Sequence, residues 1–401
     1  MSVIAARSVP ARPEVSALLE RAKAMAKRAR DRAECTEAER RISEEAIDEI
    51  RAADLFRVMQ PQSFGGFEYG FEVFAEIGAA LARGCGSIGW VYGLLASHQW
   101  LAGCFPLQAQ EEFWADRSAL AAGSYAPAGQ GIPVSGGWRF SGQWGFCSGC
   151  DSAQWLFLGA MIPQEEGAPK PGFILAPAAA CVIDDNWHTM GLCGTGSKNI
   201  IAKDVFVPFH RAVTFGDLSA GTSPGTRVHA NPLFRQSFLA VLPVTIVAPL
   251  LGMAEGALAD FLDIAQVRTT RGAVSGGNLK MAELTTIQLR VAEAAACTEA
   301  ARRIVFSNLA EAYDRVAGGE GIDVAMRIRN RRDQAFCVRL AVQAIDALFL
   351  ASGGQSIFLN TSLQRTWRDA HAAASHISLN WEFTGSMVGQ YMLGLEPKGQ
   401  Y

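Results

Sequence analysis

Six histidines, His98, His188, His210, His229, His371 and His376, are the side chains whose charge changes near neutral pH. His371 and His376 are five residues apart, so on a helix they do not share a face. That spacing suits a metal pair poorly and leaves either one free to enter a pocket as an acid or base. His98 sits in the apolar aromatic run WVYGLLASHQW, where a hydrogen-bonded core histidine and a functional one both remain open. His210 and His229 flank a stretch rich in glycine, serine and proline and read as surface residues. Cys147-Ser148-Gly149-Cys150 is a CxxC, a pattern used for redox chemistry or for half a zinc site. No second CxxC and no histidine pair at ligand spacing accompanies it, so no metal is expected.

Three glycine clusters, SFGGFEYG at 63–70, GLCGTGS at 191–197 and ASGGQS at 351–356, invite a nucleotide-loop reading. None has the GxGxxG or GxxxxGK[ST] spacing, so each reads as a turn. A nicotinamide-binding domain is therefore not expected, and the chain would not reduce a cofactor of its own from NAD(P)H.

The elements that must position these residues fall into three zones. Apolar positions at three- and four-residue spacing predict helices over 14–33, from Ser43 to Leu55, over Phe71 to Arg83 and over Ile88 to Trp100. Arg57 to Pro61 reads as a short extended piece. From Gly123 to Val207 come short β-like runs bounded by glycine, proline and aspartate. Long helical patterns return over Leu239 to Val267, Lys280 to Tyr313, Ala325 to Ala351 and Trp381 to Leu393. The expected domains are helical over 1–122, β over 123–208, a linker over 209–232 and a helical bundle over 233–401. The fold class is α+β, mainly α.

With 401 residues, 49% hydrophobic, 19% charged and a net charge of −3, the chain suits neither nucleic acid nor an anionic membrane as its main partner. No run of about 18 apolar residues suggests a membrane span. Nine scattered cysteines, an odd number, point to free thiols in a reducing compartment, the cytoplasm. Arginines in the first 15 residues weakly suggest a transit peptide, but Pro10 and Pro13 favour a frayed arm.

From Ile42 to Pro397 the chain resembles the acyl-CoA dehydrogenases: helical domain, small β-barrel-like domain, four-helix bundle. The matching segments are Pro61 to Gly66 (PQSFGG), Ser87 to His98 (SIGWVYGLLASH), Trp144 to Gly149 (WGFCSG), Gly194 to Ser197 (GTGS), Val207-Pro208 and Arg365 to His376 (RTWRDAHAAASH). More specifically it resembles the oxygenase components of two-component flavin monooxygenases, such as 4-hydroxyphenylacetate 3-hydroxylase. Two departures separate it from true dehydrogenases. Ser124-Tyr125-Ala126-Pro127 stands where those carry Thr-Glu-Pro, and Arg368-Asp369 leads to His376 rather than to a glutamate base. An acyl-CoA dehydrogenase or oxidase with a relocated glutamate, Glu255 or Glu382, is the rival reading. A scaffold that kept the fold and lost the chemistry is a third.

The resemblance implies reduced FMN or FAD, O2 as co-substrate, a flavin hydroperoxide, a small aromatic substrate, a separate NAD(P)H-flavin reductase and a homotetramer. It implies that Ser148 holds the proton on flavin nitrogen 5, that His98 neighbours the reacting oxygen, and that His376 deprotonates or hydrogen-bonds a substrate phenol. An imidazole with a pKa of about 6.5 suits that task. Trp90, Trp144, Phe146, Gly149, Thr195, Gly196 and Ser197 would line the flavin, and Ser124 and Trp381 the substrate. Arg268 or Arg271, with Gln355 and Ser356, would hold the flavin phosphate end across a subunit interface.

Overall fold

The computed structural model describes residues 12–269 and 279–401. Helices come first: α1 (Val15–Asp31), α2 (Ala33–Glu39), α3 (Glu44–Ala52), α4 (Phe71–Ala82), α5 (Gly86–Gly103) and α6 (Leu107–Phe113). Ser43 starts α3, its hydroxyl accepting the Ala46 N–H at 3.3 Å, with Glu44 and Glu45 in the first turn. Arg57 to Pro61 differs from the expected extended run. It turns, because the amides of Phe67, Glu68 and Tyr69 fold back onto the carbonyls of Arg57, Gln60 and Val58. Only glycine fits at 66, where a Cβ would stand 2.0 Å from the Gln60 carbonyl oxygen.

Next comes one seven-stranded sheet: β1 (Ala121–Val134), β2 (Gly137–Cys147), β3 (Trp155–Ile162), β4 (Lys170–Pro177), β5 (Val182–Asp184), β6 (Lys198–Pro208) and β7 (Ala212–Thr214). Its order is β5-β6-β2-β1-β3-β4-β7, with β1 and β3 parallel and the other neighbours antiparallel. The ladder slips between Ser124 and Gly129 on β1, and twice on β2, between Phe140 and Gly142 and between Trp144 and Cys147. Such irregularities re-aim side chains out of a sheet.

The stretch 209–232, expected as a linker, starts inside the sheet. Its β7 pairs with β4, and the following α7 (Phe215–Ala220) sets Phe215 edge-on to Phe173 and stacks it on Phe238. His229 is not a surface residue: it is buried against the Phe234 ring, and its Nε2–H donates to Gln110 Oε1 at 2.8 Å. Burial pushes its pKa down to about 4.

Helices α8 (Phe238–Val241), α9 (Val244–Val267), α10 (Thr285–Ala317), α11 (Val324–Ala351), α12 (Ser362–Ala374) and α13 (Trp381–Met392) complete the chain. The single helix expected over Leu239 to Val267 is broken at Pro243, which offers no N–H to continue the ladder. Phe238–Val267 and Val324–Ala351 are long and apolar enough to cross a membrane, but 89% of the first one's most apolar stretch is buried within the protein.

Helix α5 runs through the middle of these layers with every residue buried, which is why it lacks a polar face. The two ends of the chain are tied together: Glu37 on α2 accepts from Arg365 at 2.9 Å and also from Arg368, both on α12.

Candidate active site

At the slip between Trp144 and Cys147 the chain is held in an unusual shape. Phe146 has φ +60° although it carries a side chain, is 72% exposed, and sets its ring edge-on to Trp187. The Ser148 amide closes back on the Phe146 carbonyl at 3.1 Å, and Gly149 follows at φ +71°. Left-handed backbone costs a non-glycine residue about 1 kcal/mol. The turn delivers the Ser148 hydroxyl to a buried position beside α5.

There it joins a chain of hydroxyls. Thr195 Oγ1 lies 2.8 Å from the Leu192 carbonyl, which can only accept, so Thr195 donates there. Ser197 then donates to Thr195 at 2.6 Å, and Ser148 donates to Ser197 at 2.7 Å. The indole N–H of Trp90 on α5 donates to Ser148 Oγ at 3.1 Å. Every proton in the chain is committed, and Ser148 Oγ keeps one lone pair able to accept from a ligand.

The loop carrying Thr195 and Ser197 is clamped by α12. Arg368 donates to the Met190 carbonyl at 2.6 Å, and Asp369 accepts the Leu192 N–H at 2.6 Å. Gly191 lies so close that a Cβ would sit 2.2 Å from the Arg368 carbonyl oxygen. Burial pushes the Asp369 carboxyl up to about 7. At Gly196, φ is +52° and a Cβ would stand 2.9 Å from the Asp151 carboxylate.

His371 lies on α12 against Trp367 and Asp346, whereas His376 follows the helix end. The His376 ring meets the Trp90 ring at 6.0 Å. Its Nδ1 accepts the Ser378 N–H at 3.1 Å, so the ring proton sits on Nε2. Burial, with the charge of Arg331, pushes its pKa down to about 4 rather than the 6.5 that a base needs.

His98 lies two turns beyond Trp90 on α5, about 12 Å along the axis. It is completely buried. Its Nδ1–H donates to the Ala121 carbonyl at 2.6 Å, and its Nε2 accepts the Tyr125 hydroxyl at 3.1 Å. Burial pushes its pKa to about 4. Neighbouring Ser124 donates to the Gly145 carbonyl at 2.8 Å, pinning the slip on β1 to the one at the end of β2.

Other expected residues lie elsewhere. Trp144 is a core side chain: it is 1% exposed, and its N–H is spent on the Gly159 carbonyl at 2.7 Å. Trp381 packs on Phe336 and under Arg339, in a groove shared with Arg290 and Asp346. Glu382 lines that same groove, and Glu255 is held by Arg83 at 2.6 Å and Arg302 at 3.2 Å. Neither glutamate joins the set around Trp90. Cys147 and Cys150 are free buried thiols: Cys150 donates to the Gly196 carbonyl at 3.6 Å, and the nearness of Cys150 together with burial raises Cys147 well above the ordinary thiol range. Arg268 donates to the Ser352 carbonyl at 2.6 Å, beside the turn that holds exposed Gln355 and buried Ser356. Arg271 falls outside the described residues.

Over 379 residues the chain is 44% identical to the oxygenase component of the FADH2-dependent resorcinol hydroxylase of Rhizobium sp., covering 93% of each chain. This chain belongs to the flavin-dependent monooxygenases, as an oxygenase component. The crystal structure of one such monooxygenase, 3-HSA hydroxylase from Rhodococcus sp. RHA1, superposes with a TM-score of 0.90 at 34% identity, over 95% of this chain and 98% of that one. XiaF from Streptomyces sp., solved with FADH2 and glycerol, gives 0.88 at 28% identity, over 96% and 97% of the two chains. The acyl-CoA dehydrogenase C-terminal domain family matches residues 244–381, and the architecture is that of the acyl-CoA dehydrogenase fold.

The residues present fit the reduced flavin of this family. Ser148 offers a lone acceptor where a ring N–H can end, and Phe146 presents an exposed aromatic face beside it. Three residues were not picked out by type or spacing: Tyr125, Asp369 and Arg331. Arg331 carried a signal nonetheless. Arg331 lies among Ile328, Ala335 and Val338 on the buried face of α11, so a guanidinium stands beside apolar side chains.

Proposed function

We propose that the protein takes reduced FAD from a separate NAD(P)H-flavin reductase and, with O2, hydroxylates a small phenolic substrate. The observation that carries this reading is the directed hydroxyl chain, which ends on an acceptor at Ser148 that, among the described residues, bonds to no carboxylate. When bound, reduced flavin supplies two electrons and delivers one oxygen atom of O2 in electrophilic form, the other leaving as water.

The chain's own residues do the rest. Ser148 accepts the N–H of flavin nitrogen 5 and keeps its proton there, its own hydroxyl proton being tied to Ser197. Trp90 fixes Ser148 from the α5 side and separates it from His376. His376 donates its Nε2–H to the substrate oxygen, since its Nδ1 is already occupied. His98 stays neutral and acts as an acceptor, with Tyr125 and Ser124 as the adjoining wall. Arg268, Gln355 and Ser356 hold the flavin's phosphate end.

Exposed Leu350, Ile357, Phe358 and Leu359 surround that corner, which supports a homotetramer burying them. The free thiols suit a reducing cytoplasm.

The test is direct. Protein mixed anaerobically with reduced FAD and a panel of phenols, then given 18O2, is expected to yield a product carrying one labelled oxygen. No labelled product, together with bleaching of bound oxidised flavin by an acyl-CoA thioester, would overturn the reading.

A further inference from the structure

Arg331 is a guanidinium with only 6% of its surface exposed. A buried cation ordinarily has a carboxylate beside it. Even its more exposed neighbours on α11 are paired, Arg329 with Glu311 and Arg332 with Asp333. Among the described residues no carboxylate pairs with Arg331. One of its Nη atoms donates to Gln334 Oε1 at 3.1 Å, the other to the Ser378 carbonyl at 2.9 Å, and its Nε–H has no partner. Of the five N–H donors of a guanidinium, most are left without an acceptor.

Its position gives the missing partner a place. Ser378, whose carbonyl accepts from Arg331, donates its N–H to His376 Nδ1, so the backbone of one residue holds both side chains. On the other side, Gln334 donates to the Ala240 carbonyl at 2.9 Å, fixing Arg331 against α8. The first residue of α8, Phe238, packs on Tyr125, which is bonded to His98. His376 meets Trp90, and Trp90 and His98 lie on α5. Arg331 thus belongs to the same ring of contacts as Ser148, His376 and His98. It is the full positive charge in that ring, where His376 contributes a neutral N–H donor.

We propose that Arg331 is the counter-charge for the substrate's ring oxygen, which the protein binds as a phenolate. The inference rests on the phenol-hydroxylase reading and adds to it the ionisation state of the substrate. On binding, the phenol O–H bond breaks, its proton passes to bulk water, and the electron pair stays on oxygen facing Arg331 and the His376 Nε2–H. His376 is then a donor to the oxyanion rather than the base that removes the proton, consistent with its lowered pKa. The negative charge enriches the adjacent ring carbons for attack on an electrophilic oxygen.

A coloured nitrophenol tests this without flavin, because its ionisation is visible in the absorbance spectrum. Titrated against wild type, the bound dye is expected to ionise at least about one pH unit below the free dye, a preference of about ten-fold or more for the phenolate. Arg331→Met is expected to remove that preference, Arg331→Lys to keep part of it, and His376→Asn to keep most of it. Thermal melts verify that the variants fold. Should Arg331→Met misfold, Arg331→Gln takes its place. A wild-type preference that survives unchanged without Arg331 overturns the inference and leaves the hydroxylase reading standing. A dye that does not bind wild type at all, when phenols are hydroxylated by the same preparation, also overturns the inference. A dye that does not bind, with no hydroxylation either, overturns both.

Discussion

The indole of Trp90, on the fully buried α5, donates to the hydroxyl of Ser148, which sits 58 residues later on the turn leaving β2. This bond orients Ser148 while leaving it an acceptor. Ser148→Ala is therefore expected to reduce coupling: per reduced flavin consumed, hydroxylated product falls about five-fold or more and hydrogen peroxide rises to match. Trp90→Phe, which keeps the ring and removes the N–H, is expected to give a smaller change of the same sign. Peroxide and product assays on one sample decide it, and equal coupling in Ser148→Ala would remove that residue from the role.

The strained Phe146 offers a second test. Phe146→Gly relieves the left-handed backbone and is expected to raise stability by about 1 kcal/mol. It also removes the exposed ring, so the affinity for reduced flavin should fall. Urea denaturation and flavin titration under anaerobic conditions read the two effects separately.

Acid sensitivity follows from the histidines. His98, His229 and His376 each have a folded pKa of about 4, below the unfolded value of about 6.5. Their contribution is complete above pH ~6.5 and is lost as pH falls toward ~4, by up to about 1.4 kcal/mol per pH unit for each fully buried ring. Asp369 works in the opposite sense. Its folded pKa of about 7 lies above the unfolded value, so its contribution is present at low pH and lost as pH rises through 7. Wild type should lose stability between pH 6.5 and 4 by urea titration, less steeply than three histidines alone would give.

The same carboxyl predicts a contrast between two substitutions. Asp369→Asn keeps an acceptor for the Leu192 N–H and removes the cost of ionisation, so it should be more stable than wild type above pH ~7, by roughly 1–3 kcal/mol. Asp369→Ala leaves that amide without its partner and opens a void, and should lose about 2–4 kcal/mol. Because Leu192 begins the turn that carries Thr195, flavin affinity should fall in Asp369→Ala and persist in Asp369→Asn.

The order of helices, sheet and bundle was legible from apolar spacing together with length and bounding turn residues, which separate a 28-residue helix such as α11 from an 8-residue strand such as β3. Pro243 was visible and its break of the helix was not anticipated, because α8 and α9 continue one apolar pattern across it. Trp144 and Trp90 look alike in sequence, and only the packed structure shows that one N–H faces Gly159 and the other Ser148. His376 was conspicuous, but its weak basicity was not: that comes from burial and from Arg331, 45 positions away in sequence. His229 stood in an apparently loose segment and is buried because Gln110 and Phe234 close over it.

The salt links from Glu37 to Arg365 and Arg368 join residues separated by 328 and 331 positions. During synthesis the N-terminal helices and the sheet emerge first, and for most of that time Glu37 has no arginines to meet and the Met190–Leu192 loop has no clamp. The turn that presents Ser148 can be made early, but the loop supplying Ser197 and Thr195 is secured only after α12 leaves the ribosome. A chain stopped before residue 362 would lack Arg368 and Asp369, and with them the clamp on that loop. The last tenth of the polypeptide therefore times the moment at which the protein becomes competent.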